Sequence, residues 1–324
     1  MQTRSLNANR LSALVGYIIL SAMTIYLLAL TLIEASALHS LGGILLIFIS
    51  AGTVVSVYLE GKRIWQQKLQ LFPFRILLFD FVILIAAAVL TFLLAHEFNL
   101  GTVVAACLIG ILAHILTPAY ESTAFTGAFV GMSSELMFLN INELFLAALI
   151  AAVVYLLAKN VFTGLGGKAG TVALVGTFLA GSNLQRGFIM QPLPDLSISL
   201  MIILFSVLST PITFYLNINK NLGPIMSASL VGMFGGLILP ALFPQYGELY
   251  AIIVITGAFI GMTCQTRCSS YRMLILAGLI MAIVTIYSTP LLGGAGGKLG
   301  TTAFISILAV TGYLQLSRTL RENA

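Results

Sequence analysis

Two stretches of the chain, "TGLGGKAGTVALVG" at 163–176 and "LGGAGGKLGTTAFIS" at 292–306, share the pattern G-x-G-G-K-x-G-T followed by an apolar run. A lysine among glycines is unusual in this chain, since 59% of its 324 residues are hydrophobic and only 8% are charged. Soluble domains carry about 25% charged residues, so this chain has too few polar side chains to cover a soluble fold. The composition therefore predicts an all-α polytopic membrane protein.

The apolar runs are long enough to form transmembrane helices, each of which needs about 20 apolar residues. Two weaker segments, 122–138 and 249–265, either cross the membrane or re-enter it. We therefore predict about twelve transmembrane segments, or ten if both weaker segments re-enter. The other ten candidates, two of which open with the glycine-lysine motif, are 11–33, 41–59, 74–95, 100–117, 143–158, 163–181, 197–217, 221–242, 271–289 and 291–315.

Basic residues give an orientation, because lysine and arginine concentrate in cytoplasmic loops. With twelve segments and a cytoplasmic N-terminus, only Arg186 lies outside once the two motif lysines are set aside. The net charge of +5 then fits a cytoplasmic membrane face and gives no indication of nucleic-acid binding. We predict a multi-pass protein of the inner (plasma) membrane with both termini in the cytoplasm. The inside residues are Arg4, Arg10, Lys62, Arg63, Lys68, Arg75, Lys159, Lys220, Arg267, Arg272, Arg318 and Arg321.

The chain also contains an internal repeat. "TGAFVGM" at 126–132 matches "TGAFIGM" at 256–262 with the 130-residue offset of the glycine-lysine motifs, and "NLG" at 99–101 recurs at 221–223. Three motifs in one order indicate duplication. The predicted segments are 1–73 (two N-terminal transmembrane helices and a cytoplasmic loop), 74–181 (repeat 1), 182–196 (connecting loop), 197–315 (repeat 2) and 316–324 (cytoplasmic tail).

The number of crossings in each copy decides how the copies are related. Five crossings make an inverted repeat, whereas four would make a parallel one, and the charge distribution favours five. Inverted repeats are typical of secondary transporters and several channels, with the binding site near the membrane midplane. The five-plus-five arrangement is similar to that of several unrelated transporters and channels, which is an analogy of architecture that identifies no substrate.

The glycine-lysine motifs are the first candidate binding site. Glycines interrupt a helix, and a broken helix at membrane depth lines a cavity or is buried in protein. The helix N-terminus that follows attracts anions, to which the lysine adds a full charge. The alternatives are a lysine that extends to the lipid headgroups and glycines that permit close helix packing. The candidate residues are Lys168, Lys298, Gly166, Gly167, Gly296, Gly297, Thr171 and Thr301.

The two TGAF segments are the second candidate. Gly127 and Gly131 form G-x-x-x-G in the first copy, and Gly257 and Gly261 do so in the second. This spacing is typical of tight helix crossings. The alternative is a half-helix that lines the permeation path, in which Phe129 and Phe259 act as hydrophobic gates.

A few ionisable residues lie within the apolar runs, where such groups are functional candidates. Asp80 could carry a coupling proton or pair with a motif lysine, although a local partner such as Arg75 is an equal alternative. His114 could relay protons or pack as a hydrogen-bonded core residue. Glu121 and Glu248 precede the two TGAF segments and could lie at the two entrances. Cys264 and Cys268 are too few for a closed zinc site, and we predict neither a metal nor a cofactor.

These patterns predict a transporter, either a secondary carrier or a channel, for a small anionic or polar solute. The expected partners are the solute, H⁺ or Na⁺ as coupling ion, the lipid bilayer and possible further copies of the chain. A structural subunit of a membrane complex is the alternative from another class. An intramembrane enzyme is a weaker one, because the chain has no compact cluster of catalytic side chains, and we predict that the protein is not an enzyme.

Overall fold

The computed structural model describes residues 2–38, 40–66 and 69–322, so that Lys68 of the predicted cytoplasmic loop lies outside the described residues. The described chain is all-α and contains twelve α-helices, with short π-helical turns after α3 and α8. These are α1 (Gln2–Leu38), α2 (Ser40–Gln66), α3 (Phe74–Phe92), α4 (Thr102–Leu116), α5 (Glu121–Gly131), α6 (Ile141–Leu157), α7 (Lys168–Asn183), α8 (Leu196–Phe214), α9 (Pro224–Leu242), α10 (Gly247–Gly261), α11 (Tyr271–Ser288) and α12 (Lys298–Glu322).

The chain is a multi-pass helical membrane protein. Within the described ranges, seven helical stretches are long and apolar enough to cross a membrane, and α4, α6 and α10 are shorter apolar helices. α5 has only 11 residues, about 16 Å at 1.5 Å per residue, which is half of a 30 Å hydrocarbon core. The seven stretches are Arg10–Ala37, Leu41–Gln66, Phe74–Glu97, Leu196–Asn219, Pro224–Leu242, Tyr271–Ser288 and Lys298–Arg321.

The two motif helices begin later than predicted. The predicted spans 163–181 and 291–315 would place Lys168 about six and Lys298 about seven residues inside a helix, whereas these lysines are the first residues of α7 and α12. The preceding Gly167 and Gly297 have φ values of 80° and 89°, a left-handed conformation that interrupts a helix and that glycine adopts at little cost. The interrupted chain before each helix is as the glycines predicted.

Helices α3–α7 and α8–α12 correspond one to one. α3 and α8 each end in a five-residue π-helical turn, Leu93–Glu97 and Tyr215–Asn219. Apart from Gln185, the described residues with positive φ recur in equivalent places in both halves: Asn99 and Asn221, Gly101 and Gly223, Phe162 and Leu292, Gly164 and Gly294, Gly167 and Gly297. The sequence repeat is therefore accompanied by a repeat of backbone conformation.

In the first half, α5 runs beside α3 in the same direction. A Cβ atom added at Gly127 would overlap the carbonyl of Leu84, and one at Gly131 would overlap that of Ala88. The start of α3 defines what we call the Arg75 end of the helix bundle, and the end of its π-helical turn defines the His96 end.

Helix α5 and the segment that follows it together run from one end of the bundle toward the other. Thr123, at the start of α5, bonds Asp80 near the Arg75 end, and His96 bonds the carbonyl of Ser133 beyond the end of α5. Lys159, just after α6, forms an ion pair with Asp80 and therefore lies near the Arg75 end again. The chain from 121 to 140 therefore extends from the Arg75 end toward the His96 end, and α6 runs back.

The second half repeats this arrangement. Gly257 and Gly261 of α10 lie against Ser206 and Thr210 of α8, again in the same direction. The Tyr271 hydroxyl, at the start of α11, donates to Asn219 Oδ1 at the end of α8 over 2.6 Å. Helices α1 and α2 pack outside the two halves, with α2 against α12.

Candidate transport site

The two glycine-lysine turns make reciprocal contacts with the opposite half. The Gly166 N–H donates to Thr263 Oγ1, and the equivalent Gly296 N–H donates to Ser133 Oγ, each over 3.1 Å. The Cys264 N–H donates to the Gly164 carbonyl, and the Ser134 N–H donates to the Gly294 carbonyl, each over 2.9 Å. Each turn is therefore docked on the residues that follow the TGAF helix of the other copy.

Helices α7 and α12 cross in antiparallel directions near their first turns. A Cβ atom at Gly167 would lie 2.5 Å from the Phe304 nitrogen, and one at the equivalent Gly297 would lie 2.5 Å from the Leu174 nitrogen. Residues further along α7 contact residues nearer the start of α12, so the two helices run in opposite directions. The two broken helices thus overlap only where each begins.

The motif lysines cap the preceding helices. Lys168 Nζ donates to the Ala158 carbonyl over 2.7 Å and to the Lys159 carbonyl over 3.4 Å. Lys298 Nζ donates to the Thr289 carbonyl over 3.2 Å, the position equivalent to Lys159. The last carbonyls of a helix lack partners and carry partial negative charge, which explains why an ammonium group binds there. In this conformation neither amine is directed at the N-terminus of its own helix.

Phe129 and Phe259 face each other between the two halves. Their ring centroids are 4.6 Å apart at an interplanar angle of 54°, and Phe125 packs against both rings. Both gate candidates therefore form one aromatic pair, and the glycines of the same segments pack against α3 and α8.

A cavity of about 360 Å³ opens toward the Arg75 end and reaches this aromatic pair. Its charged lining side chains are Glu121, Lys159 and Lys168, and Ser122, Thr126 and Tyr155 add hydroxyl groups. The first glycine-lysine turn contributes Gly166 and Gly167 to the wall. The ionic lining therefore contains two ammonium groups and one carboxylate.

The opposite side of the aromatic pair has a much smaller cavity, of about 80 Å³. Its lining includes Gly296 and Gly297, together with Phe129, Thr256 and Phe259, and most of its residues are equivalents of those around the larger cavity. A further cavity of about 430 Å³ lies near the His96 end, includes Glu248 and shares the lining residues Thr102 and Ile252 with the 80 Å³ cavity. The 360 Å³ space is called the larger cavity because it is the larger of the two equivalent spaces. The two halves therefore enclose equivalent spaces of unequal size.

The remaining predicted site residues lie outside the linings of these cavities. Lys298 lines none of these three cavities. Neither do the predicted hydroxyl donors: Thr171 is buried without a hydrogen-bond partner for its Oγ1, and Thr301 Oγ1 donates to the Gly297 carbonyl over 3.1 Å. His114 Nδ1 lies 2.6 Å from Glu121 Oε2, so this histidine is hydrogen-bonded beside the larger cavity.

Asp80 pairs with neither Arg75 nor a motif lysine. Its carboxylate forms an ion pair with Lys159 and accepts a 2.6 Å hydrogen bond from Thr123 Oγ1. In the sequence, Lys159 was considered only for the membrane topology, and neither Thr123 nor Tyr155 was a candidate. No local signal joins Asp80 to Lys159, which lies 79 positions further along the chain.

Glu60 is a second buried carboxylate, and it lies within α2 although the predicted span ended at residue 59. It accepts a 2.7 Å hydrogen bond from the Phe162 N–H and a 2.9 Å bond from the Arg267 guanidinium. Arg267 Nε also donates to the Thr163 carbonyl, whereas the equivalent Gly293 carbonyl accepts from the Ile189 N–H, each over 2.9 Å. The two turns are therefore anchored by different residues at the same backbone position.

Among the described residues, no group of three or more His, Cys, Asp or Glu side chains is placed to hold a metal ion. Comparison of the chain with protein-family models, with curated proteins and with solved structures finds no match.

Proposed function

We propose that the protein is a membrane transporter that carries a small anionic or polar solute through a site between its two halves. The observation that supports this proposal best is the cavity of about 360 Å³ that ends at the Phe129–Phe259 pair. Its volume lies within the range of about 300–1,000 Å³ of small-molecule sites. A hydrophobic constriction closes a permeation path by excluding water, and we assign this role to the aromatic pair.

The inequality of the equivalent cavities favours a carrier over an open channel. A carrier exposes one side of its site at a time, and the about 360 Å³ and 80 Å³ spaces on the two sides of the ring pair fit that behaviour. In the alternative state, the smaller cavity would open and the larger one would close. Rocking of one repeat against the other is the usual way in which repeated transporters achieve this change.

The proposal includes twelve membrane segments with a five-plus-five inverted repeat. Reciprocal contacts are typical of two-fold relationships, and the equivalent bonds of Gly166 and Gly296 follow this pattern. A two-fold axis that relates the antiparallel helices α7 and α12 would be perpendicular to both. If both helices run along the membrane normal, this axis lies in the membrane plane. The distribution of basic residues supports an orientation in which the Arg75 end and both termini face the cytoplasm across an inner (plasma) membrane.

The charge of the cavity favours an anion. Lys159 and Lys168 contribute two positive charges, and Glu121 contributes one negative charge. Asp80 neutralises Lys159 when no solute is present. Lys168, which also caps α6, and Glu121 then remain as one ammonium group and one carboxylate, and Glu121 is itself paired with His114, so the preference for an anion rests on the two ammonium groups.

A flux screen tests the proposal directly. Full-length protein in proteoliposomes is offered radiolabelled monocarboxylates, dicarboxylates, phosphate, sulfate and neutral polar solutes. We expect saturable uptake of at least one anion above the level of protein-free liposomes. Uptake of no solute in the panel would contradict the proposal.

A cysteine-blocking experiment locates the path. Ser122→Cys is placed in the cavity wall in a background in which Cys107, Cys264 and Cys268 are replaced by serine. A bulky maleimide is expected to abolish uptake by this variant. Ser36→Cys, at an exposed position away from the cavities, is the control and should retain uptake after labelling. Equal inhibition of both variants would argue against a path through the cavity.

A further inference from the structure

A buried polar cluster joins three helices at the wall of the larger cavity. Asp80 from α3 pairs with Lys159 after α6, and Thr123 of α5 donates to Asp80. The hydroxyls of Thr123 and Tyr155 are hydrogen-bonded to each other over 2.9 Å. The four side chains form one connected network.

The cluster is open to the cavity on one side only. Lys159 and Tyr155 belong to the cavity lining, and Lys159 Nζ also lies 4.1 Å from the ring centroid of Phe72, another lining residue. The side chain of Asp80 is 2% exposed and that of Lys159 is 16% exposed. The ammonium group is therefore the member that a solute in the cavity meets, and the carboxylate lies behind it.

The second half of the molecule has no such cluster at the equivalent place. The repeat offsets make Ile202 equivalent to Asp80 and Ile253 equivalent to Thr123. Both isoleucines are buried and belong to one apolar cluster with Ala282. The positions of Tyr155 and Lys159 are occupied by Thr285 and Thr289.

The two halves share one fold but differ in this cluster, so the role of the cluster can be considered apart from the stability of the fold. A buried ion pair is seldom more stable than well-packed apolar residues of similar size, because both charges lose their hydration. The second half fills the same position of the same fold with two isoleucines. The fold therefore does not require the ion pair of the first half.

We propose that Asp80 and Lys159 form a proton-coupling site, in which a small anion binds to the Lys159 ammonium as a proton binds to the Asp80 carboxylate. This inference rests on the proposed transport function and extends it to the coupling ion. In the empty site, the Asp80 carboxylate is paired with the Lys159 ammonium. In the loaded site, the carboxylate has gained one O–H bond, and the ammonium is paired with the anion instead.

The balance of charge explains why the two ligands bind together. One proton and one monoanion enter, so the site is neutral both before and after loading. An anion alone would leave an extra negative charge beside Asp80, and a proton alone would leave the ammonium unpaired, both of which are costly in a buried site. Thr123 remains a hydrogen-bonding partner for either form of the carboxyl group, and Tyr155 is hydrogen-bonded to Thr123.

The other titratable groups around the cluster are accounted for by their own partners. Tyr155 belongs to the network, Glu121 is paired with His114, and Lys168 donates to the end of α6. Arg75 is on the same helix as Asp80, in its first turn. The exchange of partners described above involves only the Asp80 carboxylate and the Lys159 ammonium.

The inference is tested by proton uptake on anion binding. Purified full-length protein in weakly buffered detergent solution receives sodium acetate, sodium succinate or sodium nitrate at matched pH. A pH indicator reports protons, and calorimetry reports binding. For a bound monoanion, we expect uptake of about one proton and an apparent affinity that falls about tenfold per unit rise in pH while Asp80 is ionised in the free protein.

Substitutions then assign the two roles. Asp80→Asn is expected to bind the anion without proton uptake and with an affinity that does not change with pH. Lys159→Met is expected to bind at least tenfold more weakly. The variant Asp80→Ile/Thr123→Ile/Tyr155→Thr/Lys159→Thr carries the side chains of the second half, so it should fold and lose both anion binding and proton uptake. Glu143→Gln/Arg186→Gln removes another ion pair, one that lies outside the cavity lining, and should leave proton uptake unchanged.

Three outcomes would overturn the inference: anion binding by the wild type without proton uptake, binding of none of the three probes, or full proton uptake by Asp80→Asn. Flux in the proteoliposome screen without proton uptake would reject the coupling site and leave the transport function standing. Proton-linked anion binding without flux would reject transport and leave the binding site standing.

Discussion

Gly170 and Gly300 contact each other where α7 and α12 cross. A Cβ atom added to Gly300 would lie 2.6 Å from the Cα atom of Gly170, and one added to Gly170 would overlap the Cα atom of Gly300. The two residues are equivalent members of the repeated motif. Each half therefore meets the other at the same residue, and the crossing depends on the absence of side chains there.

The crossing predicts a stability defect from a single methyl group. We expect Gly300→Ala to lower the free energy of unfolding by about 1–3 kcal/mol, because the added atom forces packed backbones apart. Thermal unfolding in detergent, followed by circular dichroism, measures the change. Gly187→Ala is the control, since nothing lies within 4 Å of its added Cβ atom. Equal melting temperatures for the two variants would show that the crossing is not tightly packed.

The two motif lysines are predicted to differ in function although they occupy equivalent positions. Lys168→Met and Lys298→Met each remove a charged hydrogen bond to a helix end, at a cost of about 2 kcal/mol. Only Lys168 lines the larger cavity. We therefore expect Lys168→Met to reduce anion uptake at least tenfold and Lys298→Met to change it less than about twofold, after correction for the amount of folded protein. Equal losses of uptake would contradict this difference.

The aromatic pair is predicted to act as a barrier. We expect Phe129→Ala/Phe259→Ala to allow anion leak through the protein, because removal of both rings joins the two cavities that they separate. Efflux from preloaded proteoliposomes without a counter-gradient measures the leak. Phe125→Ala is the matched control, since this fully buried ring packs against both gate residues and its loss costs about 3–5 kcal/mol as a core truncation. A tight membrane with the double variant would exclude the rings as the barrier.

The two ends of the bundle are predicted to face opposite sides of the membrane. Ala119 and Gln245 are exposed and precede α5 and α10, respectively. In a cysteine-free background, we expect an impermeant maleimide to label Ala119→Cys only from the cytoplasmic side and Gln245→Cys only from the outside. Labelling of both positions from the same side would indicate parallel repeats.

The sequence by itself determined the class of protein and its internal repetition. An 8% share of charged residues leaves no soluble alternative, because the water-facing surface of a soluble fold must be polar. The interrupted chain before Lys168 and Lys298 was also predictable, since the preference of glycine for left-handed backbone is a local property. The exact start of each helix was not predicted, because the apolar run continues across the glycines and carries no boundary.

Only the tertiary structure decided where the charged groups point. The Lys168 ammonium turns back to the end of α6, ten positions earlier in the chain, and Asp80 binds Lys159, 79 positions later, because the packed helices bring these groups within hydrogen-bonding distance. The repeated motifs predicted equivalent sites in the two copies, whereas the side chains that the bundle brings together make one cavity larger and more polar and leave a buried apolar cluster where the first half has its ion pair. Repetition in sequence fixes backbone geometry through local conformation. The partner of a buried charge depends on which side chains the whole bundle brings together.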